Sequence, residues 1–330
     1  MRENKYLVTF SPHERDELMT DKIMLYVVYS LIPAIAVSIY FFGFYAVKTY
    51  LLSIIFCLGF EAIFLKLRGY QVSVSDNSAL VTAILLAMNL PPTSPWWLVL
   101  IGSFIAIVVG KMVFGGLGQN PFNPALVARV FLLISWPAQM TTWIKPNPIT
   151  EGFIFDAVTA ATPLGEAKTE ILTFGKITTQ FSDKFDYFIG FMSGSMGEMS
   201  AVALLLGAAF LFYKKIISWH APFAFIGVFM LVVIPYWAFN PDKSLDPLTH
   251  LLTGGLILGA FYMATDMVTS PVTKKGQVIF GAGCGLITAV IRLFGGYPEG
   301  VSFAILIMNA FVPIIDFYIR PKSFGEATHA

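Results

Sequence analysis

The sequence predicts an all-α polytopic membrane protein with about ten transmembrane helices, in two inverted five-helix repeats with one long external loop. Three observations predict this fold. The 330 residues are 56% hydrophobic and only 12% charged, whereas soluble domains carry about 25% charged residues. Apolar segments recur at about the 20-residue length that crosses the hydrocarbon core of a bilayer. Two short motifs also recur in the same order in the two halves of the chain.

Ten apolar segments are predicted to span the membrane. The third is short and ends at Pro91-Pro92, which is typical of a half-helix or of a strongly tilted helix. The segments are residues 23–47, 49–67, 79–91, 96–114, 123–137, 196–213, 219–239, 247–265, 277–294 and 301–319. They divide the chain into an N-terminal segment (1–22), a first membrane half (23–137), a loop (138–187), a second membrane half (188–320) and a C-terminal tail (321–330).

The placement of Lys and Arg predicts the orientation, since cytoplasmic loops carry an excess of these residues. With the N-terminus in the cytoplasm, twelve of them lie on the cytoplasmic side and six on the other, four of the six in the loop 138–187. We therefore expect both termini in the cytoplasm and the 138–187 loop outside.

Two pairs of motifs predict an internal repeat. Val113-Phe-Gly-Gly116 matches Leu293-Phe-Gly-Gly296 at an offset of 180 residues, and Thr93-Ser-Pro95 matches Thr269-Ser-Pro271 at an offset of 176. Because five spans is an odd number, the second copy enters the membrane from the opposite face, as in many transport proteins that bind their ligands near the midplane. Helix packing through small residues is the alternative explanation for the glycines.

Several classes of function lack support in the sequence. No HExxH, CxxC, Walker or nucleophile-elbow motif occurs, so no catalytic residue for soluble-type hydrolysis or nucleotide-driven chemistry is predicted. The net charge of +1 and the scattered histidines predict neither a nucleic-acid partner nor a metal site. Cys57 and Cys284 lie in apolar segments, where packed free thiols are the expected state.

Ionisable residues in or near the predicted spans are candidates for function, because a charge at membrane depth is costly unless it is paired or hydrated. Those near span ends can instead extend their charge to the membrane surface. The acids are Glu61, Glu198, Asp266 and Asp316, and the bases are Lys111, Arg129 and Arg292.

The segment 115–125 offers two amides beside a predicted helix start. Asn123 precedes Pro124, so it could simply cap the fifth span, with the proline at the first helical position. Alternatively, Asn120 and Asn123 form a polar wall that reads the edge of a heterocycle such as an isoalloxazine ring.

The loop contains the stretch Asp156-Ala-Val-Thr-Ala-Ala-Thr-Pro-Leu164. Its small residues are expected to leave the hydroxyls of Thr159 and Thr162 uncrowded, and Asp156 could accept a proton or hold a divalent ion while one of them is modified. Pro163 is expected to end any local helix. An ordinary surface turn stabilised by these side chains is the alternative.

This stretch resembles the flavin-attachment motif Asp-x-x-Ser/Thr-Gly/Ser/Ala-Ala-Thr of membrane redox proteins. Ser11-Pro-His13, the run from Asp76 to Pro92 and the block 115–125 extend the resemblance over nearly the whole chain. Their order and spacing resemble the D subunit of the Rnf electron-transport complex, which is related to the B subunit of the sodium-translocating NADH:quinone reductase. Asn77 departs from this pattern, since glycine is more often expected there.

The resemblance implies that Thr162 carries FMN as a phosphoester. A separate Mg-dependent flavin transferase would attach it, recognising Asp156 and neighbours such as Thr159. A second, non-covalent flavin, riboflavin, is implied near Asn120 and Asn123. The implied partners are membrane lipid and the A, B, C, E and G subunits of the Rnf complex, with electrons passing through the flavins coupled to movement of Na⁺ or H⁺.

Two other classes of function remain open from the residues alone. The predicted inverted repeat also resembles urea- and ammonium-type folds, which favours a channel or carrier without a redox role. A structural scaffold that anchors partner subunits without a cofactor is the third possibility. Flavin bound to the chain distinguishes the first hypothesis from both of these.

Overall fold

A computed structural model describes residues 19–70, 76–149, 152, 158–179 and 184–320. These residues form helices joined by irregular segments, and the only β-type pairing among them is an isolated antiparallel bridge between Ile144 and Thr159. The predicted all-α class is therefore confirmed for this part of the chain.

Thirteen α-helices occur in the described ranges. They are α1 (Thr20–Leu67), α2 (Ser78–Met88), α3 (Trp96–Phe104), α4 (Pro124–Ser135), α5 (Pro137–Met140), α6 (Pro163–Phe174), α7 (Lys184–Ile189), α8 (Ala201–Tyr213), α9 (His220–Phe239), α10 (Pro247–Leu252), α11 (Leu256–Leu258), α12 (Lys274–Phe294) and α13 (Val301–Tyr318). π-helical turns continue α3 over Ile105–Val109 and α11 over Gly259–Met263.

Five helical stretches are long and apolar enough to cross a membrane. They are Thr20–Leu67, Trp96–Phe114, His220–Phe239, Lys274–Phe294 and Val301–Tyr318, and the shorter apolar helices are α2, α4 and α8. The chain is therefore a multi-pass membrane protein. The count of ten spans and the inverted repeat stay predictions.

The first two predicted spans are joined in one helical element, α1, of 48 residues. This element does not run straight, since Ser38 Oγ lies 3.1 Å from the Tyr50 hydroxyl, twelve residues later. The helical path breaks at Gly43, which has φ 52° and ψ −128°. The sequence predicted a break five residues later, at Lys48. Glycine is favoured as the site of this break because a residue without a Cβ adopts a positive φ without steric cost.

Irregular backbone interrupts three of the predicted spans inside the protein. Residues 196–200 are not helical, although they were predicted to open a span, and residues 253–255 break the predicted span 247–265 at Gly254 and Gly255, which have φ of 69° and 65°. The third is the predicted span 79–91, whose helix α2 ends at Met88. There, Gly197 N–H donates to Met88 O at 2.7 Å. Non-helical backbone is tolerated at membrane depth only where protein groups satisfy it, as this contact does.

The start of α2 explains the departure at Asn77. This residue has φ 58°, in the left-handed region where glycine is favoured and asparagine is the best-tolerated substitute. The carboxylate of Asp76 accepts hydrogen bonds from Ser78 N–H at 3.2 Å and from its hydroxyl at 2.8 Å. Asparagine therefore preserves the turn into α2.

Candidate cofactor sites

An inner cavity lies among the start of α1, helix α2, the segment 111–125 and the segments that follow α8 and α11. Its volume is about 90 Å³. Its walls are mostly apolar, and its polar lining residues are Ser78, Thr82, Lys111, Asn120, Asn123, Tyr262, Thr265 and Asp266. The structure therefore brings both asparagines into one cavity.

The predicted helix cap at Asn123 is confirmed. Its Oδ1 accepts from Ala125 N–H at 3.1 Å and from Leu126 N–H at 3.3 Å, and Pro124 follows at the first helical position. Asn120 donates from Nδ2 to Phe122 O at 3.1 Å. Both side chains are buried and line the cavity, so the cap and the polar wall are compatible. The cap uses the oxygen of Asn123 and leaves its NH₂ group as the donor available to a ligand.

Three of the predicted membrane charges lie at or beside this cavity. Lys111 Nζ is 2.6 Å from Glu61 Oε1 and donates to Ser78 Oγ, also at 2.6 Å. Asp266 accepts from Val268 N–H at 3.3 Å and from the Thr269 hydroxyl at 3.0 Å. The cavity wall therefore combines a paired cation, a carboxylate and two amides.

Thr162 is the N-cap of α6. Its Oγ1 accepts from Gly165 N–H at 3.1 Å, and Pro163 occupies the first helical position. The prediction that Pro163 ends a local helix was wrong, because proline is well tolerated in a first turn, where its missing N–H has no helical partner. The predicted uncrowded setting was also wrong for Thr162, which is only 6% exposed, although Thr159 is exposed.

An outer cleft lies beside this cap. It has a volume of about 430 Å³, and its lining includes Lys145, Pro146, Ala160, Ala161, Pro163, Glu166 and Tyr187. The backbone that leads to Thr162 is held by the bridge at Thr159, since Lys145 N–H donates to Val158 O at 2.8 Å and Ala160 N–H donates to Trp143 O at 3.0 Å. Asp156, the predicted acid of the motif, lies outside the described residues.

Glu170 connects α6 to Thr178 and Thr179 of the loop by hydrogen bonds. Its carboxylate accepts from the hydroxyl of Thr179 and from the N–H groups of Thr178 at 2.7 Å and Thr179 at 3.1 Å. These hydrogen bonds, the one to the Thr179 hydroxyl foremost, lower the pKa of Glu170 to about 2. Burial lowers the pKa of Lys168 on the same helix.

A buried polar cluster joins α4 to the broken segments. Arg129 donates to Asn89 Oδ1 at 2.5 Å, forms an ion pair with Glu299 and lies 3.8 Å from Glu198, which accepts from Ser195 Oγ at 2.6 Å. The sequence identified Arg129 and Glu198 but missed Glu299. That acid follows Tyr-Pro in a connection between spans, where it resembles an ordinary surface turn residue.

The remaining predicted charges have other surroundings. Asp316 accepts from Val272 N–H at 3.2 Å near the surface, which is a structural contact between α13 and the segment before α12. Arg292 is buried and donates to three backbone carbonyls of residues 250–254. Neither residue lies in the inner cavity or in the outer cleft.

Comparison with known proteins gives matches over the whole chain. The family model described as "NQR2, RnfD, RnfE family" matches residues 7–325. The chain is 44% identical over 333 residues to the D subunit of the "Proton-translocating ferredoxin:NAD(+) oxidoreductase complex" of Clostridium ljungdahlii, covering 98% of both proteins. It is 38% identical over 349 residues to the D subunit of the "Ion-translocating oxidoreductase complex" of Escherichia coli (strain K12), covering 97% of this chain and 99% of that protein.

Proposed function

The chain belongs to the NQR2, RnfD, RnfE family, and we propose that it is the membrane flavoprotein subunit of an ion-translocating ferredoxin:NAD oxidoreductase (Rnf) complex. The observation that carries this proposal is the similarity to the D subunit of such a complex along 98% of both proteins. The multi-pass helical architecture suits a subunit that passes electrons and ions across a membrane. Its partners would be the A, B, C, E and G subunits of that complex.

We propose that Thr162 carries FMN through a phosphoester. The N-terminus of an α-helix attracts phosphate, because its first N–H groups lack helical partners and the helix dipole is positive there. Thr162 occupies this position on α6, which has twelve residues, and the outer cleft beside it offers space lined by small side chains at Ala160 and Ala161. The helix therefore favours the charge that this modification would add.

Attachment at Thr162 requires access to a buried hydroxyl. Since its Oγ1 accepts from Gly165 N–H, the first turn of α6 must open while the flavin transferase acts, or the transferase must act before this turn packs. After modification, the ester oxygen can still accept the same hydrogen bond.

We propose that the inner cavity holds riboflavin. The fit rests on apolar walls with a few convergent polar groups, the usual pattern of a cofactor site. The NH₂ of Asn123 can donate to a ring acceptor, and the hydroxyls of Ser78 and Thr82 can contact the ribityl chain. Lys111 keeps its charge neutralised by Glu61 at 2.6 Å, so the cavity suits an uncharged ligand such as riboflavin.

The two proposed flavin sites lie toward opposite ends of α12. Residues 265–268 of the inner cavity lead into its start, whereas Lys168 of α6 donates to Arg292 O at its far end at 2.9 Å. The 21 residues of α12 extend over about 30 Å, the thickness of the hydrocarbon core. Flavins can transfer one electron at a time, so they would supply one-electron carriers on both sides of the membrane.

We place the 138–187 loop outside the cell and both termini in the cytoplasm of a bacterial inner membrane. The support is the excess of Lys and Arg on the opposite side of the predicted spans. With this orientation the covalent flavin would lie at the outer surface and riboflavin at the inner surface. The coupled ion would be Na⁺ or H⁺.

Flavin fluorescence tests the covalent site. Wild-type protein produced with its flavin transferase should fluoresce under ultraviolet light after denaturation and washing, whereas Thr162→Ala should be dark. Thr162→Ser should retain signal because it keeps a hydroxyl and a helix cap. Thr169→Ala, an exposed substitution on the same helix, is the matched control and should match wild type. A dark wild type would contradict the proposal and favour a channel, a carrier or a scaffold. A fluorescent Thr162→Ala would show that covalent flavin is attached at another residue.

Extraction of loose flavin tests the inner cavity. Asn123→Asp keeps the cap oxygen but removes the NH₂ donor, and Asn120→Ala removes the second amide. Both variants should lose extractable riboflavin while the covalent fluorescence persists. Asn240→Ala, outside the cavity, should behave as wild type. Unchanged riboflavin in both cavity variants would rule out this site without affecting Thr162.

A further inference from the structure

A second outer cavity lies on a different face of α6 from the outer cleft. It has a volume of about 140 Å³, more than the roughly 10–15 Å³ that one water needs. We call it the cationic cavity. Its lining is Leu164, Ala167, Lys168, Ile171, Leu172, Lys243, Ser244, Leu245, His250, Arg292, Leu293, Phe294, Gly295 and Pro298. None of these residues also lines the outer cleft.

The charge of the cationic cavity is one-sided. Lys168, Lys243 and Arg292 line it, and no carboxylate is among its described lining residues. The nearby acids are engaged elsewhere, since Asp246 lies 2.9 Å from Lys184 and Glu299 pairs with Arg129. Burial lowers the pKa of Lys168. An anion in the cavity would compensate this charge.

Two buried polar atoms of the lining residues lack partners. Ser244 Oγ lies 3.3 Å from His250 Nε2. His250 Nδ1 and Arg292 Nε have no hydrogen-bond partner, and Arg292 Nε is a donor, as the oxygens of an anion require. Both residues are only 4% exposed. Buried groups of this kind are normally satisfied, which indicates a polar occupant.

The surroundings place the cationic cavity at the depth of lipid headgroups. It lies at the ends of the spanning helices α9 and α12, where Tyr236 packs against Phe294 at 5.4 Å. Trp237, Phe239 and Tyr297 are also there, and aromatic residues of this kind concentrate at membrane interfaces. The cavity rim is apolar and exposed at Leu172 (77%) and Phe294 (67%).

We propose that the cationic cavity binds the phosphate group of an anionic phospholipid, with Lys168 and Lys243 facing the headgroup and Leu172 and Phe294 beside an acyl chain. The apolar rim favours a lipid over free phosphate, which would leave these side chains uncovered. The FMN proposed at Thr162 would lie in the outer cleft, on another face of α6. The lipid site therefore stands independently of the flavin assignments.

Native mass spectrometry of the full chain in detergent, titrated with phosphatidylglycerol, tests this site. Wild type should retain one phosphatidylglycerol preferentially over phosphatidylcholine. Lys243→Glu and Lys168→Gln should each weaken retention about five- to tenfold, the effect expected for a basic residue at an anionic headgroup. Lys176→Glu, an exposed charge reversal on the same loop that does not line the cavity, should retain the lipid as wild type does.

Three further results would overturn the proposal. Equal loss of lipid in Lys176→Glu and Lys243→Glu would indicate a general surface effect. Stabilisation of lipid-free protein by inorganic phosphate alone, dependent on Lys243, would identify a free anion as the occupant. Lipid retention that appears only in Thr162→Ala would show that flavin phosphate normally fills the cavity. Equal retention in Thr162→Ala and in wild type would instead support the lipid site, whether or not flavin is attached.

Discussion

Lys111 and Arg292 lie at similar places relative to the two Phe-Gly-Gly motifs of the sequence, but the protein accommodates their charges differently. Each precedes a Phe-Gly-Gly motif by a few residues, and each is almost completely buried, with exposures of 2% and 4%. Lys111 meets a carboxylate, Glu61, at 2.6 Å. Arg292 has no ion pair within the described residues and instead donates to the carbonyls of His250 (2.5 Å), Thr253 (3.0 Å) and Gly254 (2.9 Å).

The difference follows from the chemistry of the two side chains. An ammonium group is a compact, strongly hydrated charge, so Lys111 needs a counter-charge when it is buried. A guanidinium presents five N–H donors in a planar fork, so Arg292 can satisfy carbonyls that the break at 253–255 leaves without helical partners. One cation thus balances a charge beside the inner cavity, and the other stabilises a broken helix beside the cationic cavity.

Removing Arg292 should have the largest effect on stability. Arg292→Leu leaves three carbonyls unsatisfied, at about 1–3 kcal/mol each, so the loss in unfolding free energy should be on the order of 5 kcal/mol. Arg292→Lys should recover only part of it, because an ammonium lacks the planar fork. Unfolding in mixed micelles with SDS measures both. Full recovery by lysine would show that charge, and not the fork, stabilises the break.

Removing Lys111 should cost about 3–5 kcal/mol, because Glu61 is then a buried charge without a partner. The double variant Lys111→Met/Glu61→Gln should recover most of that loss, since no charge remains to be compensated. The same unfolding measurement on both single variants and the double variant gives the coupling. Additive losses would mean that the ion pair is not what distinguishes the Lys111 site from the Arg292 site.

Periodic features were predictable from the sequence, because they depend on local chemistry. Apolar segments located the helices, and Asn123-Pro124 located the start of α4 through the known preferences of first turns. Lys111 and Arg292 were identified as charges in or near predicted spans. Their different partners were not predicted, because Glu61 and the carbonyls of residues 250–254 are brought to them only by tertiary packing.

The errors concern places where tertiary contacts override local patterns. The segment 253–255 was predicted as part of a continuous apolar span. Its glycines, Gly254 and Gly255, adopt positive φ, and Arg292 satisfies the carbonyls of Thr253 and Gly254. Glu299 was missed because Arg129, its partner, is 170 residues away. Pro163 was misinterpreted because proline is compatible with the first turn of a helix as well as with a turn that follows one.

A glycine at the Arg292 site should be harder to replace than a glycine with the same backbone conformation elsewhere. Gly254 has φ +69°, and a Cβ there would contact Leu164 Cδ1 and lie 2.6 Å from Arg292 Nη2. Gly175 has φ +71° with nothing within 4 Å. Gly175→Ala should cost about 1–2 kcal/mol through backbone strain alone. Gly254→Ala should cost about 1–3 kcal/mol more, because the side chains must also shift. Equal losses would mean that the break does not depend on close packing against Arg292.

The smallest effect concerns Glu170, a carboxylate that binds backbone N–H groups as Arg292 binds carbonyls. Its pKa in the folded protein, about 2, lies below the value of about 4.3 for an unperturbed glutamate. Its contribution to loop stability is therefore fully present above about pH 4.3 and is lost as the pH falls toward 2. Hydrogen exchange of Thr178 and Thr179, corrected for intrinsic rates, should accelerate over that range in wild type. Glu170→Gln should exchange faster at neutral pH and lose this pH dependence. If Glu170→Gln keeps the pH dependence of exchange, a group other than Glu170 holds residues 177–179 against α6, and the analogy with Arg292 fails.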